Sequence, residues 1–156
     1  RCSISDIVYK IKVLDKNGKI LNLDKKDASF SYRNSKLDRY IILEVQFRLA
    51  AGNYIKVKNR IGGFLLFRQM RQDNSKPNAG CIFKNPSKNF PAGKLIDECG
   101  LKGKHFGGAM ISSKHANFIL NFNSATANDV IELIRIAKKR VKDKFGINLK
   151  EEIKIV

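Results

Sequence analysis

The segment Asn78-Ala-Gly-Cys-Ile-Phe-Lys-Asn-Pro86 places a small-residue turn, a thiol in a short apolar run, a cation and a carboxamide side by side. A thiol with an ordinary pKa of about 8.5 keeps its proton at neutral pH and can hand it to a strong base. The same group in a strand also serves as a small buried hydrophobe, so residue type alone leaves both readings of Cys81 open. Lys94-Leu-Ile-Asp-Glu-Cys-Gly-Leu-Lys-Gly103, Gly107-Gly-Ala109 and Lys114-His-Ala-Asn-Phe-Ile-Leu-Asn121 follow in order. It is this succession, more than the composition, that points to a function.

The elements needed to position these groups fall into a strand-rich part and a mixed part. Residues 7–15 alternate like a half-buried strand. Asn17-Gly18 predicts a tight hairpin turn through positive backbone angles, Lys19–Leu23 the returning strand, and Tyr40–Leu49 a third strand rich in β-branched and aromatic residues. Three such strands are too thin a unit to stand alone. Ala51-Gly-Asn53 reads as a break. The spacing of Ile55, Ile61, Leu65, Leu66 and Met70 predicts a helix over 54–72, weakened by Gly62-Gly63. Residues 73–80 read as a loop, 81–83 as a short strand, and 91–99 as a short helix with Pro91 at its start and Gly100 past its end. Strands are expected over 105–112 and 117–121. A long helix follows over 124–145, capped by Ser124 or Thr126, with Val130, Ile134, Ala137 and Val141 as its apolar stripe and Gly146 as its stop. Glu151–Val156 reads as a final strand. The expected architecture is α+β, with residues 1–52 as one region and 53–156 as another.

The hydrophobic fraction of 43% allows a real core. No apolar run is long enough to span a membrane. The start, Arg1-Cys-Ser-Ile-Ser-Asp-Ile, has neither an apolar signal segment nor an initiating methionine, and it suggests a chain whose beginning is missing. Three cysteines, Cys2, Cys81 and Cys99, are odd in number and irregularly spaced. That spacing argues against a disulfide framework and fits a reducing cytoplasm. They and the two histidines are scattered with no Cys-x-x-Cys, so no metal site is expected. The net charge of +17 favours an anionic partner, such as nucleic acid, an anionic membrane or a phosphorylated small molecule. Spread as it is over every segment, the charge equally reads as a solvated surface.

The ordered motifs resemble the UDP-N-acetylenolpyruvoylglucosamine reductase family, flavoenzymes of bacterial peptidoglycan precursor synthesis and so of cell wall biogenesis. Asn78–Pro86 is similar to the family's central signature, and Ala92–Gly103, Gly107-Gly-Ala109, His115-Ala-Asn-Phe-Ile119 and Asn123-Ser-Ala-Thr-Ala127 follow in the family's order. Phe145-Gly-Ile-Asn-Leu149 and Glu151-Glu-Ile-Lys-Ile155 close the match, and upstream Phe30-Ser-Tyr-Arg-Asn-Ser35 resembles Phe-Gly-Tyr-Arg-Asp-Ser. The resemblance implies the end of an FAD-binding domain, made of antiparallel strands, followed by a mixed α+β substrate-binding domain. It also implies the subclass without a tyrosine-bearing insertion. The family's Gly-Gly-Gly-Ser-Asn loop for the FAD diphosphate has no counterpart in this sequence.

By the same resemblance, NADPH reduces FAD and the reduced flavin gives hydride to the enolpyruvyl ether of UDP-N-acetylglucosamine, yielding UDP-N-acetylmuramate. Cys81 falls at the family's proton-donor position. Arg33 falls at its catalytic arginine, whose forked donors suit a developing oxyanion; Ser31 and Asn34 replace the usual Gly and Asp beside it. Glu152 falls at the near-terminal catalytic glutamate, with Glu151 sent to the opposite face by strand alternation. Asn85, Arg71, His115 and Tyr32 fall at or beside substrate-binding positions; Asp73 stands where a proline is common. Cys99 reads as core, and Gly107-Gly108 as close backbone packing.

Two other readings stay open. One is a folded piece, inactive and poor in FAD for lack of an N-terminal flavin region that a further segment or chain would supply. The other is a basic module for nucleic acid or another anion. Such a module would interleave aromatics on an exposed face, whereas most of the phenylalanines fall in strand-like or motif positions.

Overall fold

The protein is described by a computed structural model covering residues 3–155. Cys2 and Val156 lie outside the described residues, and with them the end of the expected last strand. The chain divides into two compact units between Val57 and Lys58.

In the first unit a short helical turn, α1 (Ile4–Ile7), leads into β1 (Val8–Leu14), β2 (Ile20–Asp24) and β3 (Ile41–Phe47). They form an antiparallel sheet in the order β2-β1-β3. Alternation along β1 buries Ile11 and Val13 and exposes Lys10 and Lys12, as a pleated strand with one covered face requires. The β1–β2 turn differs in detail from the sequence reading: of Asn17 and Gly18, only Gly18 has a positive φ (77°). The Asp15 carboxylate fixes the rest of the turn by accepting from the Asn17 and Lys19 N–H groups at 2.9 and 2.8 Å. The small core of this unit gathers Val8, Ile11, Val13, Ala28 and Leu37.

A helix α2 (Tyr54–Arg71) carries the division between the units and runs unbroken through Gly62-Gly63. None of its residues is buried. The second unit continues with β4 (Asn78–Cys81), α3 (Ala92–Glu98), β5 (His105–Phe106), β6 (Ala109–Ile111), β7 (Phe118–Asn121) and α4 (Ala127–Phe145). Its antiparallel sheet has the order β4-β7-β6-β5. Phe118, Ile119 and Leu120 of β7 are all buried, the continuous apolar run expected of a strand covered on both faces. Leu133, Ile134, Ala137 and Val141 of α4 and Leu95 and Ile96 of α3 complete one core with Ile82, Phe83, Ile111 and Leu149. Each such side chain contributes about 1.5–3 kcal/mol on burial. Gly100 and Gly146, at φ 67° and 71°, lie just past the ends of α3 and α4.

Several expectations need correction. Residues 105–112 are two short strands separated at Gly107-Gly108, not one strand. A Cβ on Gly108 would meet the Asn123 carbonyl oxygen and the Ala125 backbone. Gly107, at φ 51°, lies against Asp129. The pair therefore serves close packing, as read, but also makes a turn. β4 begins at Asn78 rather than Cys81, because Asn78 already pairs with Leu120. The last strand reduces to one bridge, Phe83 with Glu151, followed by bends. Thr126 caps α4: its Oγ1 accepts from the Asp129 N–H at 3.2 Å, and Asp129 accepts from the Thr126 N–H at 2.9 Å. Ser124, the alternative cap, instead has φ 51°. Phe47, Phe64, Phe67, Phe90, Phe106 and Phe122 are exposed, so the aromatic content is less interior than the strand-like pattern suggested; for Phe64 and Phe67 the cause is that α2 buries no face.

The glycines give a paired test in the isolated chain. Gly108→Ala should cost about 1–3 kcal/mol through overpacking against backbone. Gly62→Ala, where nothing lies within 4 Å of the new Cβ, should stabilise by about 0.5–1 kcal/mol through helix propensity. Denaturant midpoints measure both; equal effects would contradict the packing described.

Candidate functional site

Cys81 ends β4, paired with Phe118 of β7. Just before it the register slips, and Gly80 takes φ 79°, a conformation that glycine enters without the steric cost of a Cβ. Asn78 holds this bulge from inside: its Nδ2 donates to the Asp73 and Lys76 carbonyls at 2.9 Å each, and its Oδ1 accepts from the Gly80 N–H at 2.9 Å. The first residues of the signature thus aim Cys81, whose side chain is half-buried.

Beyond Cys81 the chain is gripped on both edges. On one, the Ile82 N–H donates to the Asn117 carbonyl at 2.9 Å, and the Asn117 side chain pairs with the Phe83 backbone at 2.9 and 2.8 Å. On the other, the Glu152 N–H donates to the Ile82 carbonyl at 2.7 Å and the Lys84 N–H to the Lys150 carbonyl at 2.9 Å. Residues seventy positions apart in sequence are so drawn together, and the backbone of Glu152 lies against the residue next to Cys81. Glu152 is half-buried. Its neighbour Glu151 is committed elsewhere: its carboxylate accepts from Lys138 Nζ of α4 at 2.7 Å, and that bond holds its pKa below the ordinary value.

Of the proposed substrate contacts, Asn85 uses Oδ1 to accept from the Ala92 N–H at 2.9 Å, which secures the start of α3. His115 is half-buried, and its Nδ1 accepts from the Asn117 N–H at 3.2 Å. The ring is therefore neutral and carries its proton on Nε2; burial keeps its pKa below the ordinary 6.5, with the charges of Lys102 and Arg71 adding to the effect. Arg71 ends α2, exposed, with its guanidinium 4.7 Å from the Phe67 ring centre. Tyr32 and Arg33 belong to the first unit. They form the tip of a two-residue turn closed by paired Ser31 and Asn34 backbones, and both are exposed. Arg33 has φ 53°, a conformation that costs a residue with a side chain about 1–2 kcal/mol and that recurs where a turn presents a functional group. Cys99 is half-buried against the core and its thiol pKa is raised by burial.

Sequence reasoning missed a buried polar pair. Ser112 is fully buried, and its Oγ donates to Asp73 Oδ2 at 2.6 Å while accepting from the Lys114 and His115 N–H groups at 3.0 Å. Asp73, itself buried, also accepts from the Ser75 hydroxyl and N–H. These bonds hold the loop before β4 and the loop carrying His115 in fixed relation. In the sequence Asp73 stands out only as the replacement of a proline, and Asn117 only as part of the His115–Ile119 motif. No group of three or more His, Cys, Asp or Glu side chains suited to a metal ion occurs among the described residues.

Comparison with known proteins defines the class. A family model described as "UDP-N-acetylenolpyruvoylglucosamine reductase, C-terminal domain" matches residues 71–156, more than half of the chain. The reductases of that name from Clostridium botulinum and Geobacillus kaustophilus are each 41% identical over 155 residues; the match covers 98% of this chain and 50% and 51% of theirs. The crystal structure of the Thermus caldophilus UDP-N-acetylenolpyruvylglucosamine reductase superposes with a TM-score of 0.81 at 34% identity, over 96% of this chain and 53% of that one. The fold is thus that of the C-terminal domain of these reductases with part of the region that precedes it. The chain belongs to the UDP-N-acetylenolpyruvoylglucosamine reductase family, and it spans about half the length of the curated relatives it matches.

The Asp73 network has a pH signature. Hydrogen bonds from Ser112 and Ser75 lower the Asp73 pKa below 3.8. A depressed folded-state pKa contributes stability above the unfolded value that is lost as pH falls through the folded one. Asp73→Asn should therefore cost about 1–3 kcal/mol at pH 7, with the gap to wild type narrowing below about pH 4. Thermal melts at pH 7 and pH 3 check this, and a gap independent of pH would contradict it.

Proposed function

We propose that the protein containing this chain reduces the enolpyruvyl ether of UDP-N-acetylglucosamine to UDP-N-acetylmuramate, with FAD and NADPH, in cytoplasmic peptidoglycan precursor synthesis. One observation carries the reading: the half-buried Cys81 ends a strand whose continuation is clamped against the backbone of Glu152. Family membership supports it.

The cofactors' contribution is the hydride. In the first unit the glycine at positive φ among the described residues, Gly18, is spent on a hairpin turn, and the sequence has no glycine-rich diphosphate loop. These residues do not make a dinucleotide site by themselves, so most of the FAD contacts are assigned to a preceding flavin-binding region, with the first unit as the end of that domain.

The residues of this chain are assigned the proton and the substrate. Hydride addition to the methylene carbon leaves negative charge on the neighbouring carbon and its carboxylate. Cys81 gives its proton to that carbon, which forms a C–H bond as the S–H bond breaks and leaves a thiolate to be reprotonated from solvent. General acid catalysis of this kind contributes about 10²–10⁴-fold. Arg33 offers its forked donors to the developing oxyanion, and Glu152 shares in stabilising the intermediate. Asn85, Arg71, His115 and Tyr32 bind the nucleotide sugar, His115 as a neutral Nε2–H donor.

The test uses a reductase of full family length carrying this sequence. Cys81→Ala should leave NADPH-driven bleaching of the flavin unchanged and slow its recolouring by the enolpyruvyl substrate at least about 10²-fold. Equal loss in both half-reactions would refute the proton-donor assignment.

A further inference from the structure

We propose that Asn117 is a positioning residue for Cys81, its buried carboxamide standing in for a missing stretch of β-strand backbone. The ladder between β4 and β7 ends at the Cys81–Phe118 pair. One residue earlier the chain is already turning, with the Phe118 N–H on the His115 carbonyl at 2.9 Å. The Asn117 backbone can still accept from the Ile82 N–H at 2.9 Å, but on that edge no strand continues to meet Phe83. The Asn117 side chain fills the gap: Oδ1 accepts from the Phe83 N–H at 2.9 Å and Nδ2 donates to the Phe83 carbonyl at 2.8 Å.

Asn117 is 3% exposed and Phe83 2%, so water cannot replace either bond. A side-chain amide offers one acceptor and one donor in peptide geometry; Asp lacks the donor when ionised, Leu lacks both groups, and Gln is one methylene too long. Each backbone group left unpaired at such a site costs about 1–3 kcal/mol. The consequence for Cys81 follows from its other neighbour. Asn78 fixes the bulge on the near side of Cys81, so the pairing beyond it supplies the second anchor that the direction of the thiol requires. On the opposite edge the same stretch pairs with the segment bearing Glu152, through the Ile82 carbonyl and the Lys84 N–H, and it precedes Asn85. Misplacement of a reacting group by about 1 Å can cost about 10²-fold.

The consequence for catalysis rests on the reductase reading above; the clasp itself does not. Hydrogen exchange on the full chain reads the clasp. Asn117→Leu should speed exchange of the Ile82–Lys84 amides by about tenfold or more relative to wild type. Asn117→Asp should do the same at pH 7 and approach wild type as pH falls through the pKa of the new carboxyl, which burial raises above the ordinary aspartate value, because a protonated carboxyl again presents one donor and one acceptor. The titratable groups around the clasp are Cys81, Lys84, His115, Glu151 and Glu152; the wild type titrated in parallel carries all of them and isolates the added carboxyl. If Asn117→Leu fails to fold, the Asp variant decides alone.

In the full-length enzyme both variants should slow substrate-driven reoxidation of the flavin by about 10²-fold and leave its reduction by NADPH within about twofold, with Asn117→Asp regaining rate as pH falls. Unchanged exchange, or equal slowing of both half-reactions, would overturn the proposal. A wild-type enzyme that never turns over the enolpyruvyl sugar would sink the reductase reading instead, with the exchange data still deciding the clasp.

Discussion

The second unit depends on a short length of chain, Ile82–Lys84, held from both sides. One grip comes from Asn117, by backbone and side chain together; the other comes from Lys150 and Glu152, near the end of the chain. Backbone groups buried in a core must find partners, and these three residues find them in segments far away in sequence. That requirement draws the signature around Cys81 and the near-terminal glutamates into one neighbourhood. Without it, the apolar side chains of Ile82 and Phe83 would still seek the core, but Cys81 would be anchored only on its N-terminal side.

Everything else in this unit stabilises the frame around that grip. The Asp73–Ser112 pair ties the loop before β4, the strand that ends at Cys81, to the loop before β7, the strand that begins just after Asn117. Asp129 links the cap of α4 to the Gly107-Gly108 turn, donated to by the Thr126 and Gly108 N–H groups. α4 in turn engages Glu151 through Lys138, which holds the Glu151 carboxylate toward the helix. That pair is partly exposed and is worth little as stabilisation; its importance here is to orientation.

Much of this was legible in the sequence because it is local. α4 could be read from its stripe, its cap residue and its terminal glycine, and β1 from alternation along Lys10–Val13. The signature around Cys81 could be read as a candidate site because its residue types are unusual in that order. What escaped reading depends on contacts over long separations. The partner of Asp73 is Ser112, and nothing in the composition around either residue announces the other. Asn117 looks like an ordinary polar residue between Ala116 and Phe118 until the end of the β7 ladder shows what it replaces. Glu151–Ile155 alternates like a strand, yet it finds only one bridging partner and bends away. The Gly107-Gly108 pair was read as a packing device, and its second role as a turn that splits the expected strand follows only from the approach of Asn123, Ala125 and Asp129.

The central claim is that the Cys81 strand, the His115–Asn117 loop and the Glu152 segment form a single ligand-facing locus in the second unit. The most direct measurement is a two-dimensional amide NMR titration of this chain with UDP-N-acetylglucosamine, the part of the proposed substrate that lacks the reactive double bond. The account expects residues 80–85, 115–117 and 150–153 to shift together along one saturable isotherm. Shifts confined to the basic end of α4, or independent isotherms for the three segments, would contradict it.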